Sequence, residues 1–388
     1  MKRFWTRLAM AVVGIAILGT AGVIGYLQRP LFGALPTGKQ LERMSHSRNY
    51  IDGAFLNQID TPMQTTDQSE WSMWMETILG EKGHPRPPGA LPSVKTDLKA
   101  LDPAQDLVVW LGHSSYFVQL GGQRFLVDPV FSTNAAPVPA VNKAFKGTSI
   151  YAAVDMPEID ALLISHDHYD HLDYPTMRVL QPKVRQVIVG LGVGAHFERW
   201  GYDMSRVREA DWNEVVALTP QLQIHVTPAR HFSGRTLTRD QSLWVGFALV
   251  SPEHRLFLSG DSGYGPHFAQ IGQRLGPFDW VALDTGQYDP RWANVHMNPE
   301  QAAQAAEDLR THVLMPAHVG RFSLAPHDWD DPFKRIVAAS QGRGYALWTP
   351  EIGQPVYLDG RAQSFTAWWE SGAMNTQPHP ATESKEMK

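Results

Sequence analysis

The chain has 388 residues, 43% hydrophobic and 19% charged, a globular composition with enough length to bury a substantial core. Its formal net charge is −5, with 34 Lys and Arg scattered rather than clustered, which excludes the basic footprint of a nucleic-acid binder. There is no cysteine, so disulfides, thiolate metal sites and a Cys nucleophile are excluded, and any metal must be held by imidazole and carboxylate.

Lys2, Arg3 and Arg7 precede an uncharged, largely apolar stretch at 8–28. That is close to the ~20 residues a helix needs to cross the hydrocarbon core. Residues 1–29 therefore read as a retained membrane anchor. A signal cleaved near Gly19-Thr20-Ala21 and a buried core helix are the alternatives. Positive charge ahead of the span places the N-terminus in the cytoplasm and the rest of the chain in a periplasmic or other extracytoplasmic space, secreted if the signal is cleaved. Arg29, Lys39 and Arg43 beyond the span weigh against that orientation.

Residues 30–105 show little periodicity and contain "GHPRPPGALP", so an extended arm laid on the domain is expected. From 106 the pattern changes. "DLVVWLG", "SYFVQL" and "RFLVDPVF" predict a β-meander with a Gly121-Gly122 turn. Strands at 159–165 and 186–190 then alternate with short helices at 174–180 and 193–200. "LQIHVTP", "SLWVGFALV" and "RLFLSG" return to strands, and "DWVALD", "PEQAAQAAEDLR" and "HVLMPA" supply strand, helix and strand. Hairpins followed by β/α units in each half predict an α/β (α+β) domain over 106–370, with two sheets face to face and helices outside. Residues 371–388 are polar and are expected to be disordered.

"SHDHYDH" follows the strand at 159–165, so His166, Asp167, His168, Tyr169, Asp170 and His171 fall on a loop at its C-terminal end. Crowded imidazoles repel one another if protonated, and each buried ring nitrogen needs a partner. A divalent cation serves several at once, and carboxylates neutralise it. The alternative is a solvated His-rich loop, which the alternating spacing disfavours. So short a loop cannot close two coordination spheres. Among the 16 histidines, His231 in "TPARHFSGR" and His318 in "LMPAHVGRF" each sit just past a strand, as does Asp261 in "LFLSGDSGY".

This ordered set resembles the metallo-β-lactamase-fold hydrolases, whose signature is the HxHxDH loop. More narrowly, "WLGHSSYFVQL", "LVDPVFS", "SHDHYDHLD", "TPARHFSGR", "SGDSGY", "YDPRW", "VHMNPEQA" and "AHVGRF" resemble the N-acyl-phosphatidylethanolamine-hydrolysing phospholipase D branch over about 106–322. The resemblance implies an αββα sandwich with two zinc ions at one edge. His166, His168 and His231 would hold one ion, Asp170, His171 and His318 the other, and Asp261 would bridge them. Manganese or iron would also suit such an N/O ligand set. The chemistry such a pair supplies is a water made nucleophilic near neutral pH, suited to phosphodiester hydrolysis.

Asp170, Asp167 and His296 are the expected catalytic residues. Asp167, no ligand in the family pattern, would orient a metal-bound group, or merely hydrogen-bond its loop. His296 in "VHMNPEQA" would bind substrate or donate a proton, or simply cap the next helix. His113, Arg291 and Trp292 are candidate substrate contacts, with a core histidine and ordinary packing as the alternatives. The expected substrate is a phospholipid such as N-acyl-phosphatidylethanolamine, met at a membrane through the N-terminal helix. A lactonase or carboxylic-ester hydrolase, a nucleic-acid phosphodiesterase and a non-catalytic envelope scaffold are the competing readings. Scattered basic residues speak against the second, and the full ligand set against the last.

Overall fold

In a computed structural model of the protein, which describes residues 2–69, 72, 75, 83–139 and 141–371, two sheets face each other between layers of helix. Helix α1 (Lys2–Leu27) leads to a 3-10 turn (Pro30–Phe32), α2 (Gly38–Ser45) and a small hairpin, β1 (Tyr50–Ile51) and β2 (Ala54–Phe55). Thus the arm carries some regular structure of its own. The first half of the domain comprises β3 (Leu107–Gly112), β4 (Ser115–Leu120), β5 (Gln123–Val127), β6 (Ile159–Ile164), α3 (Tyr174–Leu180), β7 (Val184–Gly190), α4 (Gly194–Arg199) and β8 (Val207–Ala210). The second half runs β9 (Val215–Thr219), β10 (Leu222–Pro228), β11 (Val245–Val250), β12 (Arg255–Leu258), α5 (His267–Leu275), β13 (Trp280–Asp284), α6 (Pro299–Asp308), β14 (Val313–Ala317), α7 (Asp331–Ala339) and β15 (Ala346–Leu347). β16 (Pro355–Tyr357) and α8 (Trp368–Ser371) close the described chain, and the expected disordered tail beyond 371 lies outside the described residues.

The sheet orders are β16-β3-β4-β5-β6-β7-β8 and β15-β14-β13-β12-β11-β10-β9. In each, hairpin strands give way to parallel ones: β5 through β8 in the first sheet, β12 through β15 in the second. Period-two alternation decides which side chains meet. Val108 and Trp110 of β3 point into the core shared by both sheets, where Phe247, Leu258 and Trp280 face them, whereas Leu107, Val109 and Leu111 point out. The outer face of the first sheet packs on Met177 and Leu180 of α3 and Phe197 of α4, and that of the second on Phe268, Ala302 and Ile336 of α5, α6 and α7. This is the predicted αββα arrangement.

Two strand ends differ from expectation. "RFLVDPVF" stops being a strand at Val127, because Asp128 takes a φ of 41° and the following proline has no N–H for the ladder. "SLWVGFALV" becomes a strand only at Val245. At the edge where β5, β6, β12, β13 and β14 end, the sheets are joined by a bridge between His113 and Val319 and by the Val245 N–H donating to the Ser165 carbonyl at 2.9 Å. All the parallel strands that matter for chemistry point their C-terminal ends at this edge.

Candidate metal centre

Two sets of side chains converge there. The first comprises His166, His168, His231 and Asp261, the second His113, Asp170, His171 and His318. In the first, His166 Nε2 and His231 Nε2 lie 2.9 and 3.2 Å from His168 Nδ1. Their tautomers follow from their other nitrogens. His231 Nδ1 faces the Val295 carbonyl at 2.9 Å, an acceptor, so Nδ1 carries the proton and Nε2 a lone pair. Ser165 Oγ donates to Asp128 Oδ2 at 2.6 Å and so offers a lone pair to His166 Nδ1 at 3.0 Å, which again leaves Nε2 unprotonated. One N–H on His168 cannot point at both lone pairs; a cation between the three nitrogens can. Their separations approach the ~3.3 Å edge of a tetrahedron with ~2.0–2.1 Å zinc–nitrogen bonds.

In the second set, Asp170 Oδ2 lies 2.9 Å from His113 Nε2, 3.1 Å from His318 Nε2 and 3.5 Å from His171 Nε2. His171 donates Nδ1–H to Asp128 Oδ2 at 2.8 Å, which aims its Nε2 at the cluster. Asp261 stands between the sets. Its Oδ1 is 3.1 Å from both His171 Nε2 and His318 Nδ1, and its Oδ2 is 3.7 Å from both His166 and His231 Nε2. The seven residues expected as ligands are thus gathered in the expected two groups with Asp261 shared. His113, Asp128 and His318 hold φ of 56°, 41° and 60°, left-handed values that are unusual for these residues and that mark a site held by its surroundings.

Buried polar atoms that form no hydrogen bond mark where cations would fit. His171 Nε2, Asp261 Oδ1, Asp284 Oδ1 and His318 Nδ1 are buried and form no hydrogen bond. Burial opposes charge on His318, yet Asp261, Asp284 and Asp170 push it up to about 10, and Asp261 and Asp170 raise His171 likewise. Burial lowers His166, His168 and His231, keeping them neutral and free to donate lone pairs. A carboxylate-rich set that otherwise recruits protons, beside a set of neutral imidazoles, fits two cations.

The remaining predicted residues divide. His296 donates Nδ1–H to Asp284 Oδ2 at 2.8 Å, its ring is 5.0 Å from those of both His231 and His318, and its side chain is 12% exposed. It is therefore the residue at the mouth, beside both sets. Asp167 has both oxygens engaged, Oδ1 by Gly234 N–H at 2.7 Å and Oδ2 by His196 at 3.2 Å, so it shapes the loop instead of meeting substrate. His113 is fully buried behind Asp170 and is corrected from substrate contact to a partner of that carboxylate. Burial, with His318 adding, lowers it to about 3. Arg291 is turned onto Asp289 through Nε at 2.7 Å and Nη2 at 2.8 Å, and the Trp292 indole donates to the Gln287 carbonyl at 2.8 Å. Among the described residues, neither has a contact with the two sets. Sequence reasoning missed Asp128, Ser165 and His196 as site residues. The aspartate in "LVDPVFS", ending a strand ahead of a proline, was the available signal for the first.

Residues 123–319 match the sequence model of the beta-lactamase superfamily domain, just over half the chain. The chain belongs to the beta-lactamase superfamily. An uncharacterized Mycobacterium tuberculosis protein is 38% identical over 327 residues, 83% of this chain and 87% of that one. N-acyl-phosphatidylethanolamine-hydrolyzing phospholipase D 1 of Caenorhabditis elegans is 31% identical over 237 residues, 57% of this chain and 65% of that enzyme. A metallo hydrolase from Ignicoccus hospitalis shares the fold, with TM-score 0.50 and 20% identity over 65% of this chain and 98% of that structure. The superfamily match begins at β5 and ends just after His318, so the arm and α1 lie outside it.

Proposed function

We propose that this metal-dependent hydrolase of the beta-lactamase superfamily is a phospholipase D-type phosphodiesterase acting on N-acyl-phosphatidylethanolamine or a related phospholipid. The observation that carries the reading is Asp261 facing two ligand sets with His296 and Asp284 beside them. The similarity to the Caenorhabditis elegans enzyme and the apolar helix α1 support the lipid class. Residues 1–29 would tether the enzyme to a membrane, with the catalytic domain on the extracytoplasmic side.

Two ions, zinc by ligand type, would supply charge neutralisation at the phosphate and a water nucleophilic near neutrality. His166, His168 and His231 would hold one, Asp170, His171 and His318 the other, with Asp261 between. The protein's own part is orientation and proton transfer. Asp128 fixes the tautomers of His166, through Ser165, and of His171; Asp284 holds His296 Nδ1–H, leaving Nε2 for substrate. The oxygen of water bonds to phosphorus as the bond to the N-acylethanolamine oxygen breaks; the proton the water gives up is balanced by one that His296 Nε2 takes up and delivers to the leaving oxygen, leaving phosphatidic acid.

The test is metal content of the full chain, purified in detergent, with phosphatidic acid release from N-acylated phospholipid in mixed micelles, for the wild type and His168→Ala. The wild type is expected to hold two ions and turn over the lipid, and the variant to lose both properties. Retention of metal and activity by His168→Ala would sink the metal reading. A fully loaded enzyme inert on a broad glycerophospholipid panel, but active on lactones or carboxylic esters, would sink the substrate reading alone.

A further inference from the structure

The arm lies outside the superfamily match, yet it is bonded to the main chain of a candidate ligand. The ladder between β10 and β11 ends at Pro228–Val245, and His231 lies three residues beyond it. There the Asn57 side chain takes the place of a neighbouring strand. Its Nδ2 donates to the His231 carbonyl at 2.8 Å, and its Oδ1 accepts the His231 N–H at 3.1 Å. The indole N–H of Trp244, itself buried, donates to the same Oδ1 at 2.9 Å and fixes which way the amide points. With its main chain gripped on both sides and Nδ1–H held by Val295, the His231 ring has little freedom in aiming Nε2.

A second stretch of the arm reaches the other side of the site. The Ala34 N–H donates to His196 Nδ1 at 3.1 Å, so His196 carries its proton on Nε2 and donates it to Asp167, the residue between His166 and His168. Arg235 Nη1 donates to the carbonyls of Asp167 and Leu172 at 2.6 and 2.8 Å, while Nη2 holds the Leu31 carbonyl at 2.7 Å. Gly33, between these contacts, has a φ of 69°, and a Cβ there would stand 2.0 Å from His196 Nδ1.

We propose that the arm is a working part of the metal centre, with Asn57 as the positioning residue for His231 and the 31–34 segment bracing the 166–171 loop. The inference rests on His231 being a ligand. An amide that clasps both main-chain groups of one residue has a geometric purpose that loose arm packing would not need. Partners that orient a ligand in this way typically cost 10–100-fold in metal affinity when removed.

The experiment compares full-length wild type, Asn57→Ala, Asn57→Asp and Leu56→Ala. Each is titrated with zinc against a chelator, and its absorption spectrum is recorded after cobalt substitution. Leu56 is 48% exposed and serves as the arm control. Expected is a 10–100-fold weaker affinity for one of two ions in Asn57→Ala, with an altered cobalt spectrum and an unchanged far-UV circular dichroism spectrum, and no change in Leu56→Ala. Asn57→Asp keeps the shape and both accepted bonds but lacks the N–H for the His231 carbonyl, so it tests the clasp should the alanine variant not fold. Wild-type affinity and cobalt spectrum in a folded Asn57 variant would overturn the inference. His231→Ala separates the two failures: if it still binds both ions tightly, the ligand reading fails, whereas if it loses one and the Asn57 variants do not, only the role of Asn57 fails.

Discussion

Asp128 is the residue through which both ligand sets are oriented. One oxygen takes the Ser165 N–H at 2.7 Å; the other takes the Ser165 hydroxyl, which faces His166, and the Nδ1–H of His171 at 2.8 Å. Asp128→Asn keeps the volume but can present an N–H where two donors already point. We expect that variant to lose 10–100-fold in affinity for both ions, read by chelator competition. His113 meets Asp170 through Nε2 at 2.9 Å and packs its ring 4.2 Å from that of His318, both of the second set, so His113→Ala should weaken one ion and spare the other. Equal losses at both ions in His113→Ala would contradict that division. The seven candidate ligands were legible because four of them fall in one six-residue run and the other three each end an apolar strand. Asp128, Ser165 and His196 were not, since an aspartate before proline, a serine and a helix histidine are ordinary until sheet packing brings residues 37 apart into contact.

At the scale of elements, the loop between β13 and α6 carries His296, and the start of α6 decides how firmly that loop is held. Asn298 Oδ1 accepts the Gln301 N–H at 2.9 Å while Gln301 Oε1 accepts the Asn298 N–H at 3.1 Å, a reciprocal cap with Pro299 in the first turn. Asn298→Ala is expected to cost about 1 kcal/mol of stability by chemical denaturation. Its turnover should fall in the same direction as that of a His296 variant, only less. Helix α5 gives a pH dependence. Burial, reinforced by Arg230, lowers His267 to about 3 from 6.5, so the folded state favours neutral imidazole. The unfolded chain therefore takes up the proton first, and the stabilising contribution, present above pH 6.5, is lost as pH falls towards 3. Replacing His267 by Gln should flatten that part of the denaturation profile; an unchanged slope would show that other groups govern it. The alternation of strand and helix was readable from periodicity, whereas β15 and β16, two and three residues long, are too short to carry a pattern.

On the scale of the whole molecule, α1 is an apolar helix whose hydrophobic span has no residue buried in the fold, its Ile15 and Leu18 being 71% and 74% exposed. A continuous apolar surface of this size is unfavourable in water and marks contact with a membrane or another protein. The end of α1 is nevertheless tied to the catalytic domain. Tyr26 donates to the Pro137 carbonyl at 2.7 Å, and the Trp200 indole donates to the Pro30 carbonyl at 2.7 Å. From there the arm continues to Ala34 and Asn57, both bonded to the surroundings of the metal sets. A retained α1 would therefore hold the catalytic edge at a fixed height above the bilayer, where phospholipid headgroups are concentrated. Two outcomes follow for the chain expressed with its N-terminus intact. Mass spectrometry of the membrane fraction should find residues 1–28 still attached and the protein resistant to carbonate extraction; recovery of a soluble, shortened chain would establish signal cleavage instead. A variant starting at Gly25 keeps Tyr26 and the whole arm, so it should keep its metal and its turnover of a short-chain soluble diester. On phospholipid vesicles it should slow by about 10-fold or more, because tethering raises the effective concentration of enzyme at the lipid surface. Equal rates on vesicles with and without α1 would show that the helix anchors the protein without serving its chemistry.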